Sequence, residues 1–529
     1  VIHLLIMRLV YLVFITVCFA SCRVPKNGIK NKITRPGGLS GQAFTDNIVV
    51  AHRGAWKKNN LPENSIASLK HAIELKCTGS EFDVRMTADD SLIINHDPDY
   101  NKLPIEKTNY ADLIAFKLSN GEKLSTLREY ILAGIENNIS TRLVCEIKPS
   151  EISKERGKAI AAKVVKLVNE LKAHDMVVYI SFDYDILKKI TELNPKASTQ
   201  YLEGNKSPDQ LKADGIGGAD YHFSVFKNHP EWIESAKKNN ITLNAWTVNE
   251  ASDMDWLLAN DFDLITTNEP ELLIERIKQS PAAAGWKLAW ADEFNYKGLP
   301  DSTKWNYEEG GHGWGNNEKQ FYLGKSIENS YVKDGTLHIV ALKRDFENSK
   351  YTSAKLTTYQ KFLLQYGKIE VMAKLPQGKG SWPAIWMLPE SVRNKTEEWP
   401  LCGEIDIMEH VGKDQNTVHT SLHSNLYNHI KGTQITHFEK LDNVAGTFHK
   451  YGIEWTEEFI KFYIDDKLFF ESYKGQNGRV STNEGWAFDK PYYLILNVAI
   501  GGNWGGDIDD TIFPNDMQVD YVRIYKKAD

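Results

Sequence analysis

The chain has 529 residues, of which 42% are hydrophobic and 25% are charged, and its formal net charge is −7. This length exceeds what one hydrophobic core ordinarily holds, so the composition predicts a globular protein with at least two domains. A small negative charge spread over so long a chain argues against nucleic acid as a partner, and against binding to a membrane through a polybasic surface.

Residues 1–22 are typical of a secretory signal. Arg8 precedes a mainly apolar run from Leu9 to Ala20, which is too short to remain as a membrane-spanning helix. The stretch Phe19-Ala20-Ser21-Cys22 resembles a bacterial lipobox, which implies that Cys22 is lipidated and becomes the mature N-terminus. An ordinary cleaved signal with an incidental cysteine is the alternative. We therefore expect a lipoprotein anchored in the cell envelope, on the periplasmic or outer-surface side, with residues 23–46 as a flexible tether.

Residues 47–279 alternate short β-branched runs with amphipathic helical patterns. The predicted strands are Ile48–His52, Glu81–Val84, Leu143–Ile147, Val177–Ser181, Thr199–Leu202, Ala219–Phe223, Leu243–Thr247 and Asp263–Thr266. The predicted helices are Ser65–Leu75, Ile160–Leu171, Tyr184–Leu193, Glu231–Lys237 and Ala251–Leu258. Eight strands with intervening helices predict an α/β domain, a (β/α)₈ barrel of the TIM type, with an insertion between Asp97 and Ile139 on the catalytic face.

Acidic side chains fall where such a barrel carries its chemistry, at the carboxyl ends of the strands. Glu81 and Asp83 share one face of the second predicted strand, and Glu146 lies near the end of the third. Carboxylates are hard oxygen ligands, suited to Ca²⁺ or Mg²⁺ rather than to zinc. The pattern predicts a site for one of these divalent cations.

Basic side chains occur at the same strand ends. His52 ends the first predicted strand and His96 follows the region of the second, so the two could supply one base and one acid. Arg53 and Lys148 could hold a phosphate. Together with the acidic residues, these side chains are the ingredients of metal-assisted phosphodiester cleavage.

Residues 47–279 resemble the glycerophosphodiester phosphodiesterase family over nearly their whole length, through short motifs in a common order. The matching stretches are His52-Arg53-Gly54, Pro62-Glu63-Asn64-Ser65, Glu81-x-Asp83-Val84, His96-Asp97, Leu124-Ser125-Thr126-Leu127, Glu146-Ile147-Lys148, Ala245-Trp246-Thr247-Val248-Asn249 and Thr266-Thr267-Asn268-Glu269-Pro270. The resemblance implies the following roles: acid and base for His52 and His96, metal ligands for Glu81, Asp83 and Glu146, phosphate contacts for Arg53 and Lys148, and a substrate contact for Trp246. The Arg-Thr-Thr that often follows the second histidine is absent from Asp99–Leu103, which bears on the choice of substrate.

Residues 279–285 are small, uncharged and interrupted by proline, and we predict that residues 280–286 link two domains. Residues 287–529 then show short alternating strands, the pattern of an all-β jelly-roll sandwich. The predicted strands are Thr336–Ala341, Lys368–Leu375, Glu404–Glu409, His419–His423, His449–Trp455, Phe459–Ile464, Tyr492–Val498 and Met517–Tyr525.

Three carboxylates fall within the six residues Glu404–Glu409. Alternation predicts a strand that places Glu404 and Asp406 on one face. Strict alternation would put Met408, not Glu409, on that face, so we predict one extra residue, a β-bulge, that brings Glu409 round. Two carboxyls about 5–5.5 Å apart are what a retaining glycosidase needs. A solvated polar strand is the alternative interpretation.

Tryptophans surround this acidic strand in the sequence. Trp382 and Trp386 share one face of a neighbouring strand, and Trp314 and Trp504 stand in polar loops rich in Gly and Asn. Such rings suit stacking on sugars, with amide side chains bonding to hydroxyls, so the tryptophans favour a carbohydrate site.

Residues 290–523 resemble glycoside hydrolase family sixteen, of the laminarinase type. The matching stretches are Trp290-Ala291-Asp292-Glu293-Phe294, Trp314-Gly315-Asn316-Asn317-Glu318, Tyr351-Thr352-Ser353-Ala354, Tyr366-Gly367-Lys368-Ile369-Glu370, Glu404-x-Asp406-x-x-Glu409 and Val519-Asp520-Tyr521-Val522-Arg523. The resemblance implies that Glu404 is the nucleophile, Glu409 the general acid/base and Asp406 the residue that orients the nucleophile. It implies sugar contacts from Trp382, Trp386, Asn317 and His423, and a structural Ca²⁺ near Glu293, Gly335 and Asp520.

These inferences predict a bifunctional enzyme whose substrates are a β-glucan and a glycerophosphodiester. Two alternatives stay open. One domain could be inactive and serve as a carbohydrate- or phosphate-binding module, or both sites could act on one glycan that bears glycerophosphoryl groups. The linkage preference among β-1,3 and mixed-linkage glucans is set by loops, which the pattern does not resolve.

Overall fold

A computed structural model of the chain describes residues 44–528. The predicted signal, Cys22 and residues 23–43 of the predicted tether lie outside this range. The end of the tether already contacts the first domain, because the backbone N–H of Thr45 donates to the carbonyl of Ser140 at 2.9 Å. No helix within residues 44–528 is both long enough and apolar enough to cross a membrane.

Eight parallel strands close into a barrel in the first domain. We name them β1 to β8: Val49–Ala51, Gly79–Met86, Arg142–Ile147, Val177–Ser181, Ser198–Tyr201, Gly218–His222, Thr242–Trp246 and Leu264–Thr267. Each strand pairs with the next, and β1 pairs with both β2 and β8, which closes the ring. Every predicted strand of this domain overlaps one of the eight, and the closed barrel fits the TIM type.

Helices connect these strands and cover the barrel. They are Ile66–Glu74, Tyr110–Leu113, Leu127–Ile135, Lys154–Glu170, Tyr184–Leu193, Pro208–Ala213, Phe223–Asn228, Glu231–Asn239, Ala251–Ala259 and Pro270–Gln279. Leu127–Ile135 is the helix between β2 and β3, so the insertion predicted between Asp97 and Ile139 is shorter than expected. That helix begins with a capping box of Thr126 and Glu129, a start signal that is present in the sequence. The rest of the insertion holds the short strands Asp99–Tyr100 and Leu103–Pro104, and a further short strand, Leu92–Ile94, precedes it.

The second domain is a sandwich of two β-sheets. One sheet contains Trp286–Asp292, Gln320–Tyr322, Ser330–Lys333, Thr336–Phe346, Ser349–Ser353, Gly367–Lys374, His449–Trp455, Phe459–Ile464, Lys467–Tyr473 and Asn515–Lys527. The other, in its spatial order, contains Asn306–Tyr307, Lys355–Thr357, Tyr492–Ile500, Ser381–Pro389, Glu404–Glu409, Thr417–His423 and Ile435–Lys440. Two short helices, Glu390–Arg393 and Gly502–Gly505, lie in loops. All-β architecture agrees with the sequence pattern, and the jelly-roll connectivity stays a prediction.

The segment predicted as a linker has regular structure of its own. A 3₁₀ helix, Pro281–Ala284, follows the last barrel helix, and Trp286 begins the first sandwich strand. The far end of the chain returns to this point: the ammonium of Lys527 lies 4.1 Å from the Trp286 ring centroid, and the N–H of Ala528 donates to the carbonyl of Gly285. These contacts hold the segment in place, so it differs from a free linker.

Candidate active sites in the sandwich and in the barrel

The strand Glu404–Glu409 lies inside the seven-stranded sheet and contains the predicted bulge. Asp406 is opposite Trp386, whereas Met408 is opposite Ile385, the residue next to Trp386. Ile407 therefore has no opposite residue on that neighbouring strand. The same irregularity occurs on the other side, where Asp406 and Glu409 pair with residues only two apart.

The bulge separates acidic from apolar side chains. Ile405, Ile407 and Met408 are all buried in the core between the sheets. Glu404, Asp406 and Glu409 instead line a cleft of about 500 Å³ on the open face of the sheet. The other lining residues are mostly aromatic or polar: Trp314, Asn316, Glu318, Tyr322, Lys355, Trp382, Ala384, Trp386, His419, Ser421, His423, His429, Gln434, Thr436, Asn497, Ala499, Asn503 and Trp504.

One hydrogen bond and two close contacts with His423 surround the three carboxyl groups. The indole N–H of Trp382 donates to Glu409 Oε1 at 3.0 Å. His423 Nε2 lies 3.1 Å from Asp406 Oδ2 and 3.8 Å from Glu404 Oε1. His423, predicted as a sugar contact, thus lies in the cleft but is engaged with the acids as well.

The carboxyl groups are buried and close together, so they hold protons unusually well. Burial and the neighbouring Asp406 raise the pKa of Glu404 to about 8 and that of Glu409 to about 8. Burial raises the pKa of Asp406 well above its usual range. At neutral pH these raised pKa values favour the protonated forms. Glycoside hydrolysis uses one carboxyl that carries a proton beside one that is ionised.

Of the predicted sugar contacts, the two tryptophans line the cleft and Asn317 does not. Trp382 and Trp386 line the cleft, and Trp386 donates its indole N–H to Asn497 Oδ1 at 2.7 Å. Asn317 does not line the cleft; its side-chain amide donates to Asn503 Oδ1 at 2.8 Å on the rim. Its left-handed backbone (φ 55°) occurs in a tight loop, where its chain neighbours reach the cleft instead.

Lys355 is a cleft residue that sequence reasoning missed. Its ammonium lies 3.0 Å from Glu308, 4.3 Å from the Trp314 ring and 4.8 Å from the Trp386 ring. Burial lowers its pKa to about 8. Its place directly after the motif Tyr351-Thr352-Ser353-Ala354 is the signal that the sequence offers.

In the barrel, β2 and β3 bring the three predicted metal ligands together. Glu81, Asp83 and Glu146 each offer an oxygen, and these oxygens lie within 4.8 Å of one another. Burial and neighbouring carboxylates raise the pKa of Glu81 well above its usual range and that of Glu146 to about 7. Glu81 Oε1 is buried and accepts no hydrogen bond from any described residue. Hard oxygen donors with an unsatisfied buried oxygen fit a divalent cation.

Lys148 lies among these carboxylates. Its ammonium is 3.1 Å from Asp83 Oδ1 and 2.7 Å from Glu146 Oε1. Burial raises the pKa of Asp83, but Lys148 and other partners outweigh that effect, so the net pKa is lowered. Lys148 therefore neutralises part of the acidic set and keeps Asp83 ionised.

The two predicted histidines differ in their surroundings. His52 is held through Nδ1 by the side chain of Asn268 at 2.8 Å, and its Nε2 lies 4.0 Å from Glu81. Burial and the adjacent Arg53 lower the pKa of His52 to about 4, so its ring is neutral at pH 7 and can accept a proton. His96 is more exposed and contacts Asp97 through Nδ1 at 2.7 Å. Asn268, within the motif Thr266-Thr267-Asn268-Glu269-Pro270, is a positioning residue that the sequence pattern does not identify.

Arg53 and Trp246 complete the barrel mouth. Arg53 has a left-handed backbone (φ 57°), donates its N–H to Glu81 at 2.8 Å and pairs with Glu63 through its guanidinium. Trp246, at the end of β7, donates its indole N–H to the backbone of Asp220 at 2.9 Å and contacts the ring of Phe182. The Arg53 guanidinium lies beside the acidic set, and the Trp246 ring offers an apolar wall.

The predicted structural Ca²⁺ receives less support from the side chains. Both carboxylate oxygens of Glu293 accept hydrogen bonds from Arg523, at 2.8 and 2.9 Å. Burial raises the pKa of Asp520, with the Glu293 charge adding to the effect. The Glu293 side chain is thus committed to an ion pair, and a cation near Asp520 stays a prediction.

Three family models match parts of the chain. The model of the glycerophosphoryl diester phosphodiesterase family matches residues 52–272, and that of glycosyl hydrolases family 16 matches residues 317–523. A third model, of the beta-glucan synthesis-associated proteins SKN1/KRE6/Sbg1, matches residues 221–396, which cross the junction of the two domains.

Individual relatives resemble about half of the chain. A beta-glucanase from Rhodothermus marinus is 46% identical over 254 residues, which cover 47% of this chain and 88% of the relative. A glucan endo-1,3-beta-glucosidase A1 from Niallia circulans is 39% identical over 269 residues, covering 47% of this chain but only 39% of the relative. The solved laminarinase from Rhodothermus marinus is 44% identical, covers 46% of this chain and 98% of its own, and superposes with a TM-score of 0.45.

Proposed function

The chain belongs to glycosyl hydrolases family 16 through its second domain and to the glycerophosphoryl diester phosphodiesterase family through its first, and on this premise we propose a bifunctional hydrolase. The sandwich hydrolyses β-1,3-glucan internally with retention of configuration, and the barrel hydrolyses glycerophosphodiesters with a divalent cation. The observation that carries the first half is the bulge that places Glu404, Asp406 and Glu409 on one face of a tryptophan-lined cleft.

In the sandwich, hydrolysis proceeds in two displacements. The Glu404 carboxylate attacks the anomeric carbon, the bond from that carbon to the glycosidic oxygen breaks, and Glu409 gives its proton to the departing oxygen. Glu409 then takes a proton from a water molecule, whose oxygen attacks the same carbon and releases Glu404. Asp406 stands between the two and holds Glu404 in place through their shared contact with His423.

In the barrel, Glu81, Asp83 and Glu146 would hold a cation, whose charge would stabilise negative charge on the phosphoryl oxygens. Arg53 adds a fixed positive charge beside the acids. Neutral His52 is ready to accept a proton, and His96, at the exposed side of the mouth, is placed to give one to the leaving alcohol.

Product analysis tests both activities. Laminarin, a mixed-linkage glucan and glycerophosphodiesters are incubated with the protein, with and without a chelator. We expect glucan oligosaccharides that keep the β configuration in either condition, and glycerol phosphate only without the chelator. Inverted sugars, or phosphodiester cleavage that ignores the chelator, would contradict the respective half.

We also propose that Cys22 carries a lipid anchor, which would hold both domains at the cell envelope. The support is the lipobox-like stretch Phe19-Ala20-Ser21-Cys22 after the apolar run. A glucan polymer cannot cross a membrane unaided, so an enzyme that hydrolyses external glucan must lie on the outer side of that membrane.

Glucanase activity should fall as the pH rises through about 8. Glu409 must carry a proton to assist the leaving oxygen, and Glu404 must be ionised to attack. Burial together with Asp406 raises the pKa of each to about 8, so activity should also fall as the pH drops below about 8. Above that value each further pH unit should reduce kcat/KM roughly tenfold. The measurement is a pH profile of kcat/KM on laminarin, and a fall centred near pH 5 would contradict the assignment.

Trp382→Phe should move that alkaline limb to higher pH. The indole N–H stabilises the ionised form of Glu409, and its loss raises the pKa of that carboxyl further. Trp386→Phe is the matched control, because its indole N–H bonds to the neutral amide of Asn497. Equal shifts in the two variants would show that replacing either indole changes the pKa of Glu409, whether or not that indole bonds to it.

A further inference from the structure

One row of paired residues crosses the seven-stranded sheet from the cleft to the edge of the sheet. Asn497 pairs with Ala384, Ala384 with Glu409, Glu409 with His419, and His419 with Phe438. Directly opposite residues on neighbouring strands point to the same face. Because the first four line the cleft, the Phe438 ring lies on the cleft face too.

Aromatic rings fill the space along this row. Trp382, whose indole bonds to Glu409, contacts Trp504 edge-on with ring centroids 5.4 Å apart. Trp504 contacts His419 at 5.0 Å, and His419 contacts Phe438 at 6.0 Å. We call Trp504, His419 and Phe438 the outer aromatic shelf. It continues the cleft outward from the Glu409 end.

Phe438 is not needed for the core. It lies on the edge strand Ile435–Lys440 and is 58% exposed. On the other face of that strand, Ile435 is buried in the core and His437 stacks on Phe470 of the opposite sheet at 5.2 Å. Edge positions usually carry charged side chains, which prevent strands from pairing with other chains. A large exposed ring here, continuous with a substrate cleft, indicates a surface that is covered during function.

We propose that Phe438 ends a distal subsite, in which the outer aromatic shelf binds a sugar residue of a long β-glucan chain on the Glu409 side of the cleavage point. This inference rests on the proposed glucanase function of the cleft. Phe438 lies two strand spacings from the strand of Glu409, roughly 10 Å away. A chain must therefore extend several sugars past the cleaved bond to reach it, and a short oligosaccharide does not.

The test compares a long β-1,3-glucan with a short β-1,3-oligosaccharide, in the full chain carrying Phe438→Ala. Loss of one stacking ring should lower the long-to-short ratio of kcat/KM roughly threefold to tenfold, mainly through KM on the long substrate. Phe438→Trp keeps a stacking face and should restore the ratio. Phe346→Ala is the control, since Phe346 is an exposed phenylalanine of the opposite sheet.

Each other outcome overturns the subsite. An unchanged ratio in an active variant would refute the subsite alone. An equal loss on both substrates would show a general disturbance of the sheet, and a change in molecular mass in solution would show that a second copy of the chain covers Phe438. A parent protein that cleaves neither glucan would refute the glucanase function, and the subsite with it.

Discussion

Glu404→Gln is expected to abolish hydrolysis of β-1,3-glucan while leaving the phosphodiesterase activity of the barrel unchanged. The amide cannot attack the anomeric carbon, and no other described carboxylate occupies that point of the cleft: Asp406 is held by His423 and Glu409 by Trp382. The measurement is the release of reducing ends from laminarin, with glycerophosphodiester hydrolysis by the same preparation as its internal control.

Glu409→Gln should behave differently. It should lower kcat on laminarin by roughly 10²–10⁴-fold, because the departing oxygen loses its proton donor. An aryl glucoside with a good leaving group needs no such donor, so its first displacement should be spared in Glu409→Gln but not in Glu404→Gln. Glu439→Gln, at an exposed position on the edge strand, is a matched control. The reverse pattern on the aryl substrate would exchange the two roles.

The unfolding temperature of these variants distinguishes the loss of a catalytic group from misfolding. The pKa of Glu404 is raised from its ordinary 4.5 to about 8 in the folded domain. A raised carboxyl pKa means that its contribution to stability is lost as the pH rises from 4.5 toward 8. Removing the titrating group should therefore keep or raise the Tm of the sandwich at neutral pH, so a lower Tm would signal misfolding.

The second large effect concerns the barrel. Glu146→Gln, or removal of divalent cations with a chelator, should abolish phosphodiesterase activity and leave glucan hydrolysis intact. The reason is that Glu81, Asp83 and Glu146 are buried acids, and Glu81 has a carboxyl oxygen with no hydrogen-bond partner among the described residues. A cation would neutralise the charge of these acids. His52→Ala should lower the activity roughly 10²–10⁴-fold without weakening cation binding.

Cation binding gives a readout that does not depend on catalysis. Added Ca²⁺ or Mg²⁺ should raise the unfolding temperature of the parent barrel and of His52→Ala, but not that of Glu146→Gln. Glu136→Gln, at an exposed position that pairs with Lys70, serves as the control. If none of these proteins responds to cations and the barrel cleaves no phosphodiester, the domain is a binding module.

The sequence predicted the bulged acidic strand of the sandwich, which the structure contains. Glu404, Asp406 and Glu409 lie within six residues, so the period of the strand and one extra residue decide which face each occupies. The structure shows that extra residue as Ile407. Strand positions in the barrel were predicted equally well, because β-branched runs and turns are local signals.

Contacts between distant segments were predicted less well. The amide of Asn317 bonds to Asn503, 186 residues away, and so misses the cleft. Lys355 reaches the cleft only because its strand lies beside Tyr492–Ile500. Helix Leu127–Ile135 is absent from the helices predicted by apolar periodicity, although the sequence holds the capping box of Thr126 and Glu129 at its start.

What the sequence by itself determined is the chemistry available to each domain: three carboxylates on one bulged strand, and a second acidic set with two histidines at the ends of parallel strands. Only the tertiary structure decided which side chains share a cleft and how far the pKa values of those carboxyls are raised. It also decided that Phe438 lies in one row with Glu409. The physical reason is that side-chain alternation depends on neighbours along the chain, whereas strand register and burial depend on residues that meet only after folding.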